Sequence, residues 1–440
     1  MQNNSVKVSI FSFKILIIIF SLITINLFFK KTKGLYWIAS GLSLILFFYQ
    51  IIYYKDLLKS ILQSLPKSFI LSLLAFYIFI IPYAFISHYP LASLEAFFLN
   101  YFSSLLIFIL LAIYLYTIPF EKIIRYLFIP FSLINLSANI YYTLFLVYKC
   151  RYEFFCFTTQ AIDFINSSLL KGIVITSFPY VFFFLLFIAL AFHTSSKIKA
   201  LFLLTGFYDL FMILLLGRRG ALLGLLTGVF FLMVLTKNKK IRYSTLIFFF
   251  VLLVGLGVLL PTKLGKEIFI REDKINYLFT FQYEKFAEAG SFGQRLYIWP
   301  IYIKKILEDP FSGTGLGRRV QKRALPQTNE RALKLEHAHN IFLNLSLQAG
   351  IQSALAFFML YLVVFTLAYR LWKNTEENPF TGALFLFFIA YFVMSLLEGT
   401  EEGTRFTPFW MALGILIGEW AKNKSKASLI EQNNFEHGKI

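Results

Sequence analysis

The chain is built from uninterrupted apolar runs of about 20 residues, the length that carries a helix across ~30 Å of hydrocarbon. Twelve can be counted, near 9–29, 35–53, 68–87, 92–116, 125–147, 173–193, 199–216, 219–236, 243–260, 341–369, 380–397 and 406–420. Their apolar residues are continuous, whereas the strands of a membrane barrel alternate, and lipid admits no third spanning structure. The expected fold is all-α, a polytopic transmembrane helical bundle. Composition agrees: 58% of the 440 residues are hydrophobic and only 15% charged, against about a quarter charged in a soluble domain. The first run is followed by Lys30, Lys31 and Lys33 instead of a small-residue cleavage site, so it reads as a retained span and not a signal peptide.

Connections between runs are short except for residues 261–339, which alternate polar and apolar stretches without a further span. A structureless connection of that length is unusual, so a small helical subdomain lying on the membrane is expected there. The sequence therefore divides into spans one to nine (1–260), the loop subdomain (261–339), spans ten to twelve (340–420) and a polar tail (421–440) expected to be disordered.

The net charge of +19 reads first as topology, because Lys and Arg concentrate on the cytoplasmic side of membrane proteins. It is not taken as a nucleic-acid footprint. With the N-terminus inside, the inner connections carry 19 basic residues, including the cluster Lys237, Lys239, Lys240 and Arg242, and the short outer ones carry 9. The 14 basic residues of the long loop do not count, since long loops cross regardless of charge. Both termini are thus expected in the cytoplasm and the long loop outside; Lys30, Lys31 and Lys33 oppose this, but reversal would create more violations. Cys150 and Cys156, between spans, are either an external disulfide or two free thiols.

Charges at the membrane boundary are costly unless paired, solvated or functional. Three segments carry chemistry of that kind. In Gly217-Arg218-Arg219-Gly220, a loop this short holds two guanidiniums at the interface. Arg binds phosphate oxygens through a planar fork and never loses its charge; the plain alternative is snorkelling onto lipid headgroups. In the long loop, Leu296, Trp299, Tyr302, Ile303 and Ile306 follow helical spacing, with Arg295 near the start of the implied amphipathic helix. The Ser312-Gly313-Thr314-Gly315-Leu316-Gly317 run lacks the strand and βαβ context of a dinucleotide loop, and is expected to form a tight turn that approaches other backbone closely. Taken alone, Arg295 reads more readily as structural. Third, Glu336-His337-Ala338-His339-Asn340 stands at the mouth of the tenth span. An imidazole titrates near neutrality and can take a proton from a sugar hydroxyl. If the segment were helical, two His one residue apart would lie on different sides, and no Cys or carboxylate set completes a zinc site.

Together these segments resemble the O-antigen ligase and polymerase family of bacterial inner-membrane proteins. The matching stretches are Gly217 to Leu223, Gln294 to Gly317 and His337 to Gly350, with His-x-His-Asn before a long span the most specific. The layout of spans and long loop is similar across most of the chain, and the motifs cover about its last half. The resemblance implies metal-independent transfer of a glycan from undecaprenyl diphosphate to an acceptor hydroxyl, with no cofactor. In the ligase branch the acceptor is a sugar of lipid A-core. It further implies that Arg219 and Arg295 hold the donor diphosphate and that His339 is the base on the acceptor, with His337 and Asn340 in support. Arg218 stands where the family more often has a small or hydroxyl residue, which leaves open which of the two Arg faces the diphosphate.

The residue types suit an inverting displacement. Two Arg stabilise the leaving diphosphate and a neutral His receives the hydroxyl proton. No convincing carboxylate nucleophile is present; Glu398, Glu401 and Glu402 read as a solvated acidic loop. A polysaccharide polymerase or a protein O-oligosaccharyltransferase would use the same motifs. A polyprenyl-glycan transporter would instead show internal repeats and broken helices at mid-span, which this sequence lacks. If Arg219, Arg295 and His339 act together, they must converge on one external cavity.

Overall fold

The computed structural model describes residues 10–28, 33–149, 177–215, 219–259, 280, 282–288, 290–325, 337–375, 378–398 and 403–437. Arg218, Cys150, Cys156, Glu401 and Glu402 lie outside them. Every regular element among the described residues is helical.

The principal helices are α1 (Ile10–Phe28), α2 (Lys33–Tyr53), α3 (Lys55–Ser64), α4 (Lys67–Phe85), α5 (Ser103–Thr117), α6 (Ile129–Lys149) and α7 (Ser177–Ala191). They continue with α8 (Ser196–Leu215), α9 (Arg219–Leu235), α10 (Lys239–Leu259), α11 (Gly290–Glu308), α12 (Arg318–Ala324), α13 (Ile341–Asn374), α14 (Pro379–Glu398) and α15 (Gly403–His437). Six described segments are long and apolar enough to cross a membrane: Gly34–Tyr53, Lys67–Phe85, Pro90–Thr117, Phe120–Leu144, Ile341–Asn374 and Pro379–Leu397. Four more of the expected spans are shorter apolar helices within α1, α7, α9 and α10, and the last two fall in α8 and α15. Among the described residues, length and hydropathy thus support six spans; they do not confirm the expected count of twelve.

Connections alternate between the two ends of the bundle. At one end Lys373 Nζ donates to Leu235 O at 2.6 Å, His193 Nε2 lies 3.0 Å from Asn378 Oδ1, and Trp420 Nε1 donates to Ser64 O at 3.2 Å. The segments thus gathered are those that carry the larger share of Lys and Arg. The other end holds the loop subdomain and the starts of α9, α13 and α15.

In lipid, helices gain little from burying apolar surface against each other, so close backbone approach through small residues drives packing. Gly414 and Gly418 of α15 meet α5 in this way. A Cβ at Gly414 would lie 2.7 Å from both Leu111 Cβ and Phe108 O, and one at Gly418 2.6 Å from Leu115 Cβ. On α9, a Cβ at Gly224 would lie 2.7 Å from Ala390 O, and one at Gly228 2.8 Å from Leu386 Cδ2. That register makes α9 and α14 antiparallel, and extending it at 1.5 Å per residue sets Arg219 about level with Leu396. A buried polar set ties α6 to α8: Asn135 Nδ2 and Asn139 Nδ2 donate to the two carboxyl oxygens of Asp209 at 2.7 and 2.9 Å.

Two expectations need correction. The tail after Trp420 is not disordered but continues α15 as helix to His437, since extending an existing helix avoids the cost of a new nucleus. The core face of α11 is also displaced from the expected one. Ile298, Tyr302 and Ile306 are buried at four-residue spacing, whereas Ile303 is 44% exposed.

Candidate functional site

The two histidines precede α13 instead of lying in it. His339 is the one non-glycine residue of positive φ among the described residues, at 54°, a conformation that His tolerates better than most residues. This left-handed step folds the segment back, so that the two imidazole centroids stand 3.9 Å apart. The expectation that the rings diverge is thereby corrected, because it assumed helical backbone. The His339 N–H donates to His337 Nδ1 at 3.1 Å. An Nδ1 that accepts a hydrogen bond carries no proton, so neutral His337 is the Nε2–H tautomer.

The peptide group between the histidines is clamped on both sides. Ala338 N–H donates to Asn344 Oδ1 at 2.9 Å, and Ala338 O accepts from Trp299 Nε1 at 2.8 Å. Asn340 caps α13, its Oδ1 accepting from Phe342 N and Leu343 N at 2.9 and 3.1 Å, while its Nδ2 donates to Leu396 O at 3.3 Å. An Asn at a helix start commonly satisfies free N–H groups in this way; here it also ties the histidine turn to the end of α14.

A chain of amides carries the restraint onward. Gln321 Nε2 donates to Asn344 Oδ1 at 3.0 Å, Gln348 Nε2 to Gln321 Oε1 at 3.3 Å, and Gly317 N to Gln348 Oε1 at 3.1 Å. All three side chains are fully buried, where a missing partner costs most. The chain fixes the start of α12, and hence Arg318, relative to the histidine turn. The glycine run makes the close approach expected of it. A Cβ at Gly313 would lie 2.1 Å from Gln348 O, and Thr314 N and Gly315 N donate to Leu347 O and Gln348 O, each at 3.0 Å. Those carbonyls are freed by a kink in α13 at Ala349 and Gly350, where φ of Gly350 is 76°. Opening a helix leaves carbonyls to be satisfied elsewhere, and the loop supplies the donors.

Three guanidiniums bear on the imidazoles. Arg295 stands one turn before Trp299 on the same face of α11, and Trp299 touches Ala338. Burial, then Arg295, Arg405 and Arg318, hold the pKa of His339 down to about 3. Burial, then Arg318, His339, Arg405 and Arg295, hold His337 well below the usual imidazole range. Both rings are therefore neutral at physiological pH, in a site of strongly positive potential. The arrangement can bind a polyanion and offers neutral imidazole nitrogen to accept a proton.

Of the residues singled out in the sequence, Arg295, His337, His339 and Asn340 are brought together here. Arg219 opens α9 with an exposed side chain, at the same end of the bundle by the α9–α14 register, but it is not among the cations acting on either imidazole. Arg318 and Arg405 escaped the sequence reading. Arg318 begins a basic run that resembles any solvated face, and Arg405 belongs to a connection read only for topology. The glycine before Arg318, with φ of 90° at Gly317, was the one available signal.

Among the described residues, no group of three His, Cys, Asp or Glu stands ready for a metal ion. Compared with known protein families, residues 200–358 match the one described as O-Antigen ligase. The match runs from α8 into α13 and contains Arg219, Arg295, Arg318 and both histidines; Arg405 lies beyond it. No curated protein matches the chain.

Proposed function

We propose that this chain, which by residues 200–358 belongs to the O-antigen ligase/polymerase family of glycosyltransferase-like membrane enzymes, is an O-antigen ligase. It takes glycan from an undecaprenyl diphosphate carrier and joins it to a sugar hydroxyl of lipid A-core, at the periplasmic face of the bacterial inner membrane. The observation that carries this reading is the convergence of Arg295, Arg318 and Arg405 on a neutral histidine pair.

The guanidiniums bind the donor diphosphate and stabilise the charge that grows on it as the glycosidic bond breaks. Arg219, at the same end of the bundle, and its sequence neighbour Arg218 are assigned to the donor diphosphate as well, on the resemblance of their motif. The acceptor oxygen attacks C1 as the C1–O bond to phosphate breaks; that bonding pair leaves with the diphosphate, and the hydroxyl proton passes to His339. A single displacement inverts the anomeric centre. An imidazole held to a pKa of about 3 is a poor base while the site is empty. Burial is the larger cause of that depression; a bound dianion offsets the part due to the three positive charges and so raises the proton affinity of His339 when donor is present. This limits proton uptake in the absence of substrate.

The ligase reading is tested by incubating purified protein with undecaprenyl diphosphate-linked glycan and lipid A-core, with EDTA present, for wild type and His339→Ala. Transfer to the core by wild type and loss in the variant are expected. Lengthening of the donor glycan would make the protein a polymerase, and transfer only to Ser or Thr of an exported protein would make it an O-oligosaccharyltransferase. Carriage of glycan across vesicles without covalent transfer would overturn the enzymatic reading.

A further inference from the structure

At the opposite end of the bundle from the histidines lies a polar cavity of about 280 Å³. It is walled by Phe120, Phe380 and His193, and floored by α15 through Glu419, Lys422 and Lys426. Glu419, Lys422 and Lys426 follow helical spacing and fall on one face of α15. Four polar groups of the lining pair with one another: His193 with Asn378 at 3.0 Å, and Thr375 Oγ1 with Thr381 Oγ1 at 2.8 Å. Glu419 is not among them. Its Oε1 is buried and accepts no hydrogen bond, an arrangement that costs free energy unless a donor arrives.

The charges choose the ligand. A simple anion drawn to the lysines would meet the Glu419 carboxylate, and a simple cation drawn to Glu419 would meet Lys422 and Lys426. A molecule bearing both signs a few ångströms apart satisfies the whole site. We propose that the cavity binds an ammonium-phosphate zwitterion, its primary ammonium donating to Glu419 Oε1 and its phosphate resting on Lys422 and Lys426. The phenyl rings of Phe120 and Phe380, 4.9 Å apart by centroid, add faces that favour a cation. The cavity sits where α14 starts and α15 passes from apolar to basic sequence, which is headgroup depth for a spanning helix. An ethanolamine phospholipid is the source that this depth favours. The site is independent of the histidine cluster and of the reaction assigned to it.

The test uses the full chain, purified in detergent and delipidated. Its thermal unfolding is followed with dioctanoyl phosphatidylethanolamine, with dioctanoyl phosphatidylglycerol, which keeps the phosphate and lacks the ammonium, and with water-soluble O-phosphoethanolamine. The ethanolamine lipid is expected to stabilise at about tenfold lower concentration than the glycerol lipid. Glu419→Gln should abolish that preference while sparing the response to the glycerol lipid, and Lys422→Gln with Lys426→Gln should weaken both. Equal effect of O-phosphoethanolamine and its lipid would support the zwitterion site with a soluble ligand. Equal stabilisation by the two lipids in wild type, or an unchanged preference in Glu419→Gln, overturns the proposal. Should Glu419→Gln fail to fold, Lys426→Gln alone, at an exposed position, must weaken binding of both lipids for the proposal to stand.

Discussion

Lowering the pH from 7.5 to 5.0 should destabilise this protein through His339 alone by about 2 kcal/mol, and replacing His339 should remove that sensitivity. In the unfolded chain the imidazole takes a proton near pH 6.5; in the folded protein it does so only near pH 3. Between those values the unfolded state binds more protons, so stability rises with pH. It is fully present above about 6.5, falls as the pH drops below that, and stops falling near pH 3. The drop to pH 5.0 crosses one and a half decades of that window, at about 1.4 kcal/mol each. His337 acts with the same sign, since its proton affinity is also depressed, and it remains in the variant as an internal reference. The variant of choice is His339→Asn, because Asn accepts the left-handed backbone that this position requires. Chemical denaturation of wild type and His339→Asn at both pH values gives the comparison: the wild type should lose about 2 kcal/mol more than the variant. Parallel losses would refute the reasoning, and would mean that His339 titrates as an exposed imidazole with the three arginines elsewhere.

Three further outcomes follow from the geometry. Replacing Arg295, Arg318 or Arg405 by Gln should each lower kcat/KM for glycan transfer by about 10²–10³, measured with purified protein; an effect confined to Arg219→Gln would move the donor site to the start of α9. Asn344→Ala leaves the Ala338 N–H and the Gln321 amide without their acceptor in a buried site, which should cost about 2–4 kcal/mol in chemical denaturation and lower transfer activity as the histidine turn loosens. Gly418→Leu forces a side chain into the α5–α15 contact, where a Cβ already lies 2.6 Å from Leu115 Cβ; it should cost at least about 1–3 kcal/mol, read as a lower midpoint of thermal unfolding.

Much of the architecture was legible in the amino-acid order because hydropathy is a local property. A run such as Pro379–Leu397 must be a helix in lipid whatever surrounds it, and the basic connections sort to one end by a rule that needs no coordinates. The shorter apolar runs were less decisive, as was the tail, whose composition does not reveal that it grows from a helix already formed. The His-x-His-Asn segment marked a site by its chemistry, but its geometry depended on the left-handed turn at His339, set by Asn344 and Trp299 from five residues downstream and forty upstream. Arg318 and Arg405, separated by some ninety residues, are met at the same imidazoles only because a kink opens α13, a glycine run docks on its freed carbonyls, and the start of α15 is carried to the same end of the bundle. Sequence determined that this is a helical membrane protein with imidazole and guanidinium at one boundary. Tertiary structure decided which of its many arginines reach the histidines, because electrostatic coupling falls with distance through space and takes no account of distance along the chain.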